Sequence, residues 1–528
     1  MTTMLLLGTL LQSCQKNKIL LPNDQITAAQ VYSTATGYKQ SIAKVYGAFA
    51  LTGNQGPSGS PDVLAIDEGT SDFFRLMWCA QELPTDEAVI GWGDPGLPDF
   101  HNMSWSSSNL FLKGIYYRST YQITLCNEFI RQSTDAQIAS RKISGADAAS
   151  IRNYRAEARF LRAYQYAVLM DLFGNPPFAT EKDPIGAIPK QTDRKSLFKY
   201  VVSELKAVDS TLVAPKQNEY GRADKAAAWA LLARVYLNAG VYTGTADYTN
   251  AITYAQKVIS SGYSLIPNYQ NLMLADNNLN TNEFIMTINY DGNNTQSYGG
   301  TTFMVHAPVG GSMPSGNFGI SGGWAGLRTT SNLVNLFPAN TGMKFPSNSN
   351  PDSRAQFWTD GQNLVINNVS SFTDGYAVNK FRNVTSTGAP GTNLNFSDVD
   401  MPVFRLPEIY LIYAEAVLRG GTGGDAGTAL GYINMLRARA YAGSTTGNIT
   451  ASALTTDFIL DERARELYWE GLRRTDLIRY NRFVENTYLW PFKGGVKGGT
   501  GVASFRTLYP IPYSDLNVNP NLKQNPGY

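Results

Sequence analysis

The sequence predicts a mostly α-helical fold in which stacked helix pairs support a face built from long loops. Apolar residues recur with helical spacing in several blocks, and four of these blocks form two neighbouring pairs. Two long segments between the helices are rich in Gly, Asn and Ser but also contain many aromatic residues. With 528 residues, 43% of them hydrophobic, the chain is long enough to form a large core.

Composition restricts the class of ligand. Charged residues make up 16% of the chain and the net charge is +2, so there is no electrostatic case for binding nucleic acid. The two histidines are far apart in sequence and lack neighbouring cysteines, which argues against a His-rich zinc site and a Ser-His-Asp triad. Abundant aromatic and neutral polar residues favour a neutral polar ligand outside the cytoplasm.

The N-terminus predicts an exported, lipid-anchored protein. The apolar run Met4–Leu11 is too short to cross a bilayer, which takes about 20 residues, and it fits the core of a secretion signal. A small residue and Cys14 follow it, as in a lipobox. We therefore expect a signal peptide over residues 1–13, a lipidated Cys14 with a tether over residues 14–30, and a single domain over residues 31–528.

The helical blocks have clear limits. Helical spacing over Tyr154–Phe173 is followed by a Gly-Asn-Pro-Pro stop. Asp224–Leu237 and Tyr248–Ser261 form a tetratricopeptide-like pair, because the first has the W-x2-L-x3-Y spacing of that repeat with a small residue at the Gly position. Leu406–Leu418 and Ala426–Ala440 form a second pair, and Asp461–Tyr480 is predicted as one further amphipathic helix. Stacked pairs bury apolar faces that no single pair buries alone.

The long irregular segments lie at about residues 52–108 and 291–400. Loops of this length are usually functional or disordered. Disordered segments are normally poor in aromatic residues. These two are not, since they contain Trp78, Trp92, Trp105, Tyr298, Trp324 and Trp358. We therefore predict ordered loops that form the binding face on the helical scaffold.

Three of these aromatic residues are candidates for binding sugar. Sugar rings stack their CH faces on aromatic side chains and direct their hydroxyls to polar groups. Trp92, Tyr298 and Trp324 each have a neighbouring Gly, which lets the backbone bend and leaves the ring face uncovered. The acidic and basic groups of residues 67–75 provide polar partners nearby in the sequence.

Acidic residues leave other chemistries open. Asp67-Glu68 and Asp86-Glu87 are candidates for a glycosidase acid and base, or are solvated loop acids or hydrogen-bond acceptors. Asp398 and Asp400, and the polar turn at residues 276–278 with Glu283, offer the oxygen ligands that calcium prefers, or are turn-forming residues. Cys79 and Cys126 either pair as a disulfide or remain as two buried thiols.

Several segments together resemble a known family. These are residues 157–164 with 172–174, 404–416, 461–466 with 470–477, 509–512 and 519–528. In these segments the chain resembles the SusD/RagB family of outer-membrane glycan-binding lipoproteins. Residues 59–62, 67–69, 82–87, 221–227 and 237–244 are most similar to the starch-binding member of that family.

The resemblance implies a binding protein, not an enzyme. Members of the family bind oligosaccharide at the cell surface and cover a TonB-dependent, SusC-like barrel transporter that imports the sugar. It also implies site residues: an arc of Trp92, Tyr298 and Trp324, with Asp67, Arg75 and Asp94 as polar partners, and a structural calcium ion at Asn278, Asp398 and Asp400. No organic cofactor is implied. A second tryptophan of the family's starch site is Ile90 here.

We therefore expect a cell-surface lipoprotein of the outer membrane that captures starch or maltooligosaccharides and delivers them to an importer. A different neutral glycan is the alternative within the same role, because Ile90 changes the site. An endo-acting glycosidase and a scaffold that holds a partner protein through its helix pairs are alternatives from other classes.

Overall fold

We describe the protein from a computed structural model, which describes residues 27–57, 59, 61–64, 66–338, 343–344 and 347–528. The lipid-anchor prediction at Cys14 lies outside these residues. The α-helices span Ala28–Val31, Ala35–Ala50, Phe73–Glu82, Asp99–Asn102, Leu110–Gln132, Asp135–Ser140, Gly145–Leu172, Arg194–Val208, Lys225–Leu237, Ala239–Thr243, Tyr248–Ile259, Gly300–His306, Ser331–Val334, Leu406–Leu418, Ala426–Ala440, Thr456–Leu467, Arg473–Arg479 and Tyr513–Leu516.

The strands are short, and each pairs antiparallel with one other strand. The pairs are Val89–Ile90 with Leu327–Arg328, Phe284–Ile288 with Met401–Arg405, Pro177–Phe178 with Lys190–Gln191, Met343–Lys344 with Ser347–Asn348, and Phe357–Trp358 with Ala377–Val378. The mostly helical fold class is confirmed.

The predicted helix pairs form a continuous stack. Lys225–Leu237 packs on Tyr248–Ile259, which packs on Leu406–Leu418, which packs on Ala426–Ala440. The side chains of Asp224, Asp247 and Asp425 accept hydrogen bonds from the first turn of the helices that follow them. The Leu406–Leu418 helix has a proline in its first turn instead. The long connection in the first pair contains the short Ala239–Thr243 helix.

The helix predicted at Asp461–Tyr480 is wrong as a single element. It is two helices, Thr456–Leu467 and Arg473–Arg479, separated by a turn in which Trp469 and Gly471 have positive φ angles. The backbone N–H of Gly471 donates to Oε1 of buried Glu82 at 2.6 Å. The Trp469 ring packs edge-on against Trp78, with centroids 5.3 Å apart. Burial of the tryptophan overrides the helical spacing at this point.

The first predicted loop segment also contains an element that the sequence analysis missed. Phe73–Glu82 is a helix, and Asp72 caps it by accepting a hydrogen bond from the Arg75 backbone N–H at 2.8 Å. Trp78 therefore lies on a core helix and is fully buried, not on a loop. Cys79 and Cys126 are both buried and both free, which decides between the two alternatives.

A buried ionic cluster joins the helical stack to the strand pair Phe284–Ile288 and Met401–Arg405. Arg405, which is 1% exposed, donates to Glu283, Glu466 and Glu470. Arg439 also contacts Glu283 and Glu466. Burial alone raises the pKa of Glu466, but the surrounding arginines outweigh it and hold this pKa at about 2. The family-like segment around residues 461–470 is therefore structural.

Candidate functional site

Pairing of two short strands brings Trp92 and Trp324 together. Trp92 follows the Val89–Ile90 strand and Trp324 precedes the Leu327–Arg328 strand, and these strands pair with each other. The backbone N–H of Gly91 also donates to the oxygen of Gly326 at 2.9 Å. Nε1 of Trp92 donates to the backbone oxygen of Trp324 at 3.2 Å, so one tryptophan fixes the loop of the other.

The three predicted aromatic residues form one row, which we call the aromatic arc (Trp92, Trp324 and Tyr298). The ring centroids of Trp92 and Trp324 are 6.2 Å apart with planes at 46°, and those of Trp324 and Tyr298 are 6.5 Å apart at 53°. Phe396, which is mostly buried, extends the row beyond Tyr298 at 5.3 Å and 50°. Tyr298 is 41% exposed and both tryptophans are half-buried.

The Gly300–His306 helix lies directly behind the arc. Phe303 packs edge-on against Trp92, with centroids 6.1 Å apart. His306 stacks on Trp324 at 4.9 Å and 24°, and the Trp324 N–H donates to the His306 oxygen at 2.8 Å. Tyr298 lies two residues before this helix, whose Phe303 and His306 contact the other two rings of the arc.

Polar groups lie at one edge of the arc. Nη1 of Arg75 donates to the Tyr298 backbone oxygen at 3.3 Å, and the guanidinium lies 4.6 Å from the centroid of the Phe303 ring. Burial lowers the pKa of Arg75, whereas the nearby acids, Asp67 and Asp94 among them, raise it. Both of those carboxylates are exposed. Arg75 is thus bonded to the Tyr298 end of the arc and lies within electrostatic range of Asp67 and of Asp94, which follows Trp92 at the other end.

Close backbone approach joins the loop before Arg75 to the arc. A Cβ atom on Gly69 would lie 2.5 Å from Cβ of Tyr298, and one on Gly299 would lie 2.1 Å from Cβ of Asp72. Real Cβ contacts do not reach such distances, so glycine is required at both positions. Burial raises the pKa of Asp72, the cap of the Phe73–Glu82 helix, to about 6.

Three residues contact the arc without having been predicted from the sequence, and a fourth, Ile90, turns out to be buried beside it. Phe303, His306 and Phe396 contact the arc but were missed. The three-residue spacing of Phe303 and His306 after Gly299-Gly300 is the signal that predicts one helix face for both. Ile90 is fully buried and pairs with Leu327, so it supplies no ring surface to the arc.

The candidate calcium ligands are only partly brought together. Burial raises the pKa of Asp400 to about 7, and the charge of Asp398 adds to this increase. Asp398 accepts hydrogen bonds from the backbone N–H of Gly292 and the hydroxyl of Thr392 at 2.7 Å each. The side chain of exposed Asn278 makes no hydrogen bond within the described part of the chain, whereas that of its neighbour Asn277 bonds to the Asp400 backbone.

The donor chemistry at Asp398 and Asp400 fits a hard cation, since two nearby carboxylates repel each other without one. Among the residues that the structure describes, no group of three or more His, Cys, Asp or Glu side chains is arranged to hold a metal ion. Calcium binding at Asn278, Asp398 and Asp400 stays a prediction.

Three of the four acids considered for glycoside hydrolysis are buried in structural contacts, and the fourth, Asp67, is exposed. Asp86 forms two hydrogen bonds with buried Arg473, at 2.7 and 2.6 Å. Glu87 is 2% exposed and accepts a hydrogen bond from the Trp469 backbone N–H at 3.2 Å. Glu68 is buried against Thr52. All three carboxylates are buried in contacts within the fold, and Glu68 lies beside the loop that carries Tyr298.

Within the same described ranges, no helix combines the length and apolar composition needed to cross a membrane.

Two family models match the chain. The model described as the SusD family matches residues 350–528, and one described as starch-binding associating with outer membrane matches residues 100–237.

Curated relatives and solved structures agree with these models. The chain is 37% identical to the starch-binding protein SusD of Bacteroides thetaiotaomicron over 92% of its own length and 91% of the relative's. It is 26% identical to SusD-like protein P25 of Formosa agariphila, over 75% and 77% of the two chains. Among solved structures, a SusD-like carbohydrate binding protein of Bacteroides fragilis is similar with a TM-score of 0.72 and 20% identity, over 93% of this chain and 100% of that one.

Surface glycan-binding protein A of Bacteroides thetaiotaomicron, solved with laminarihexaose, is similar with a TM-score of 0.68 and 20% identity, over 93% and 99% of the two chains. At this identity the likeness concerns the fold alone, whereas the 37% identity to SusD extends over nearly the whole of both chains. These matches, together with the helical stack that carries the aromatic arc, show that the chain belongs to the SusD family.

Proposed function

We propose that this protein binds starch or maltooligosaccharides at the aromatic arc on the outer surface of the cell and delivers them to a TonB-dependent, SusC-like transporter. The observation that carries the proposal is the tilt between successive rings, 46° from Trp92 to Trp324 and 53° from Trp324 to Tyr298. We infer that the successive rings tilt in the same sense and so form a curved surface, not a flat one. A curved surface follows a helical α-glucan and fits an extended, flat β-glucan poorly.

The polar edge of the arc supports the same ligand. Asp67 and Asp94 are exposed and acidic, and carboxylates accept hydrogen bonds from sugar hydroxyls. Arg75 donates to the Tyr298 backbone and has further N–H groups available for a hydroxyl oxygen. The described surface thus combines apolar ring faces with a few polar groups, which is the usual composition of a ligand site.

Family membership supports a role in binding without turnover. An endo-acting glycosidase needs two carboxylates about 5–9.5 Å apart across the sugar bond. Asp86, Glu87 and Glu68 are buried in structural contacts, so they are poor candidates for such a pair. Ile90 is the one observation that favours a different neutral glycan, because its side chain is buried in the core and adds no stacking surface.

The proposal is tested by affinity gel electrophoresis against amylopectin, dextran, xylan and inulin. We expect retardation by amylopectin, with the polysaccharide recovered at its original length. Retardation only by xylan or inulin would mean that the ligand is one of these glycans and not starch. Release of short sugars from amylopectin would indicate a glycosidase.

The anchoring and delivery steps need separate tests. If Cys14 carries acyl chains, Cys14→Ala should move the protein from the membrane fraction to the soluble fraction, because the variant lacks the thiol that carries the anchor. If the chain covers a transporter, a pull-down from membranes in mild detergent should recover a TonB-dependent barrel in near-equal amount. Recovery of the chain alone would count against delivery.

A further inference from the structure

The short helix behind the aromatic arc places two aromatic side chains against two different tryptophans. Phe303 and His306 are three residues apart in the Gly300–His306 helix, so they share one face of it. Phe303 contacts Trp92 edge-on, whereas His306 stacks almost flat on Trp324. Both are buried, at 0% and 3% exposure, so neither is placed to contact a ligand directly.

His306 is bonded to the loop that carries Trp324 in two further ways. Its Nδ1 atom lies 2.7 Å from the backbone oxygen of Gly322. A carbonyl oxygen only accepts hydrogen bonds, so Nδ1 carries the proton and donates. The His306 backbone oxygen accepts from the Trp324 N–H at 2.8 Å. His306 therefore holds Gly322 through its ring and Trp324 through its backbone.

The stack also decides which face of Trp324 is free. The imidazole covers one face at a centroid distance of 4.9 Å, whereas the neighbouring arc rings are tilted from the indole and lie 6.2 and 6.5 Å away. Gly322 and Gly323 precede the tryptophan and provide no side chain to hold it. Without His306 the indole would lose the only flat contact among its described ring neighbours.

We propose that His306 is a positioning residue for glycan binding, which holds the Trp324 ring at the tilt that gives the arc its curvature. This inference rests on the proposed function, because it assigns a role in binding at the same site. It concerns a residue that does not contact the sugar and acts through Trp324.

The test separates the ring contact from the hydrogen bond. His306→Asn keeps a donor near the position of Nδ1 but removes the flat ring, and His306→Phe keeps the flat ring but removes the donor. Calorimetry with maltoheptaose should show weaker binding for His306→Asn by roughly two- to tenfold, the cost of ordering a freed side chain on binding. His306→Phe should bind within about twofold of the wild type if stacking dominates.

A second readout reports on Trp324 without ligand. In protein labelled with 5-fluorotryptophan, the 19F resonance missing from Trp324→Phe identifies this residue. It should shift and broaden in His306→Asn and remain sharp in His306→Phe. The matched control is His101→Asn, since His101 is also buried, at 6% exposure, but its ring contacts Phe492 at 6.4 Å instead of the arc.

The outcomes are distinct. If the wild type does not bind maltoheptaose, the proposed function fails, while the 19F measurement still tests whether His306 orders Trp324. If the wild type binds and His306→Asn binds equally well with an unchanged Trp324 resonance, the positioning role is overturned. Equal loss of binding in His306→Asn and His101→Asn would indicate general destabilisation and would also overturn it.

Discussion

The buried ionic cluster consists of charged side chains enclosed in the core, whereas the aromatic arc consists of rings that are partly exposed. In the cluster, Arg405 and its carboxylate partners are fully enclosed and bonded to one another. In the arc, Trp92, Trp324 and Tyr298 come from separate loops and retain exposed ring surface. The cluster therefore contributes to stability and specifies how the helical stack meets the strands, while the arc is held in place by its surroundings and is available for a ligand.

The largest effect should come from breaking the cluster. Arg405→Met leaves Glu283, Glu466 and Glu470 buried without their shared cation, and removing one partner of a buried ion pair costs about 3–5 kcal/mol. We expect a large fall in melting temperature, measured by scanning calorimetry. Any protein that remains folded at low temperature should still bind maltoheptaose, because the arc does not contact Arg405.

An exposed ion pair provides the control for this variant. Arg152 and Asp135 lie 2.9 Å apart, with side chains 46% and 64% exposed. Such pairs contribute about 0–1 kcal/mol, so Arg152→Met should melt close to the wild type. Equal melting temperatures for Arg405→Met and Arg152→Met would mean that the buried cluster adds no stability.

Acid should weaken the cluster, because its carboxylates attract the arginines only when they are charged. The folded-state pKa of Glu466 is about 2, below the ordinary value of 4.5. Its contribution to stability is therefore fully present above pH 4.5 and is lost as the pH falls toward 2. Urea unfolding should show a stability difference between the wild type and Glu466→Gln that is large at pH 7 and smaller at pH 3. A difference independent of pH would contradict this pKa.

The arc variants should reverse this pattern, with a loss of binding larger than the loss of stability. Removing a stacking ring should cost on the order of 1–3 kcal/mol of binding, by analogy with aromatic platforms that stack bases. Tyr298→Ala should melt nearly as the wild type does, because Tyr298 is 41% exposed. Trp92→Ala should also lower the melting temperature, since its ring packs on Phe303 and Gly326 and donates to the Trp324 backbone. Unchanged maltoheptaose affinity in both would place the site elsewhere.

The smallest effect concerns calcium. If calcium binds Asn278, Asp398 and Asp400, then adding it in millimolar amounts to chelator-treated protein should raise the melting temperature, because a ligand of the folded state stabilises that state. Magnesium at the same concentration is the control, since it prefers a smaller, stricter site. No shift with calcium, or the same shift in Asp398→Asn, would remove this site.

The sequence predicts the helical stack far better than it predicts the arc. Helical spacing and capping residues are local, so the bounds of Leu406–Leu418 and Ala426–Ala440 agree with the structure. The break near Trp469 was missed because it depends on a contact with Trp78, which lies far away in the sequence. Trp92, Tyr298 and Trp324 were selected by their glycine neighbours and by family resemblance, but their ring angles depend on buried Phe303 and His306.

The curvature of the arc should select the glucan, and titrating maltoheptaose and cellohexaose into the wild type and Trp324→Ala by calorimetry tests this selection. The rings of Trp92 and Tyr298 are both tilted from Trp324, so loss of this central ring should remove the curvature. We predict that the wild type prefers maltoheptaose and that the preference falls sharply in Trp324→Ala. Equal affinity of the wild type for the two glucans, or an unchanged preference in the variant, would contradict the account.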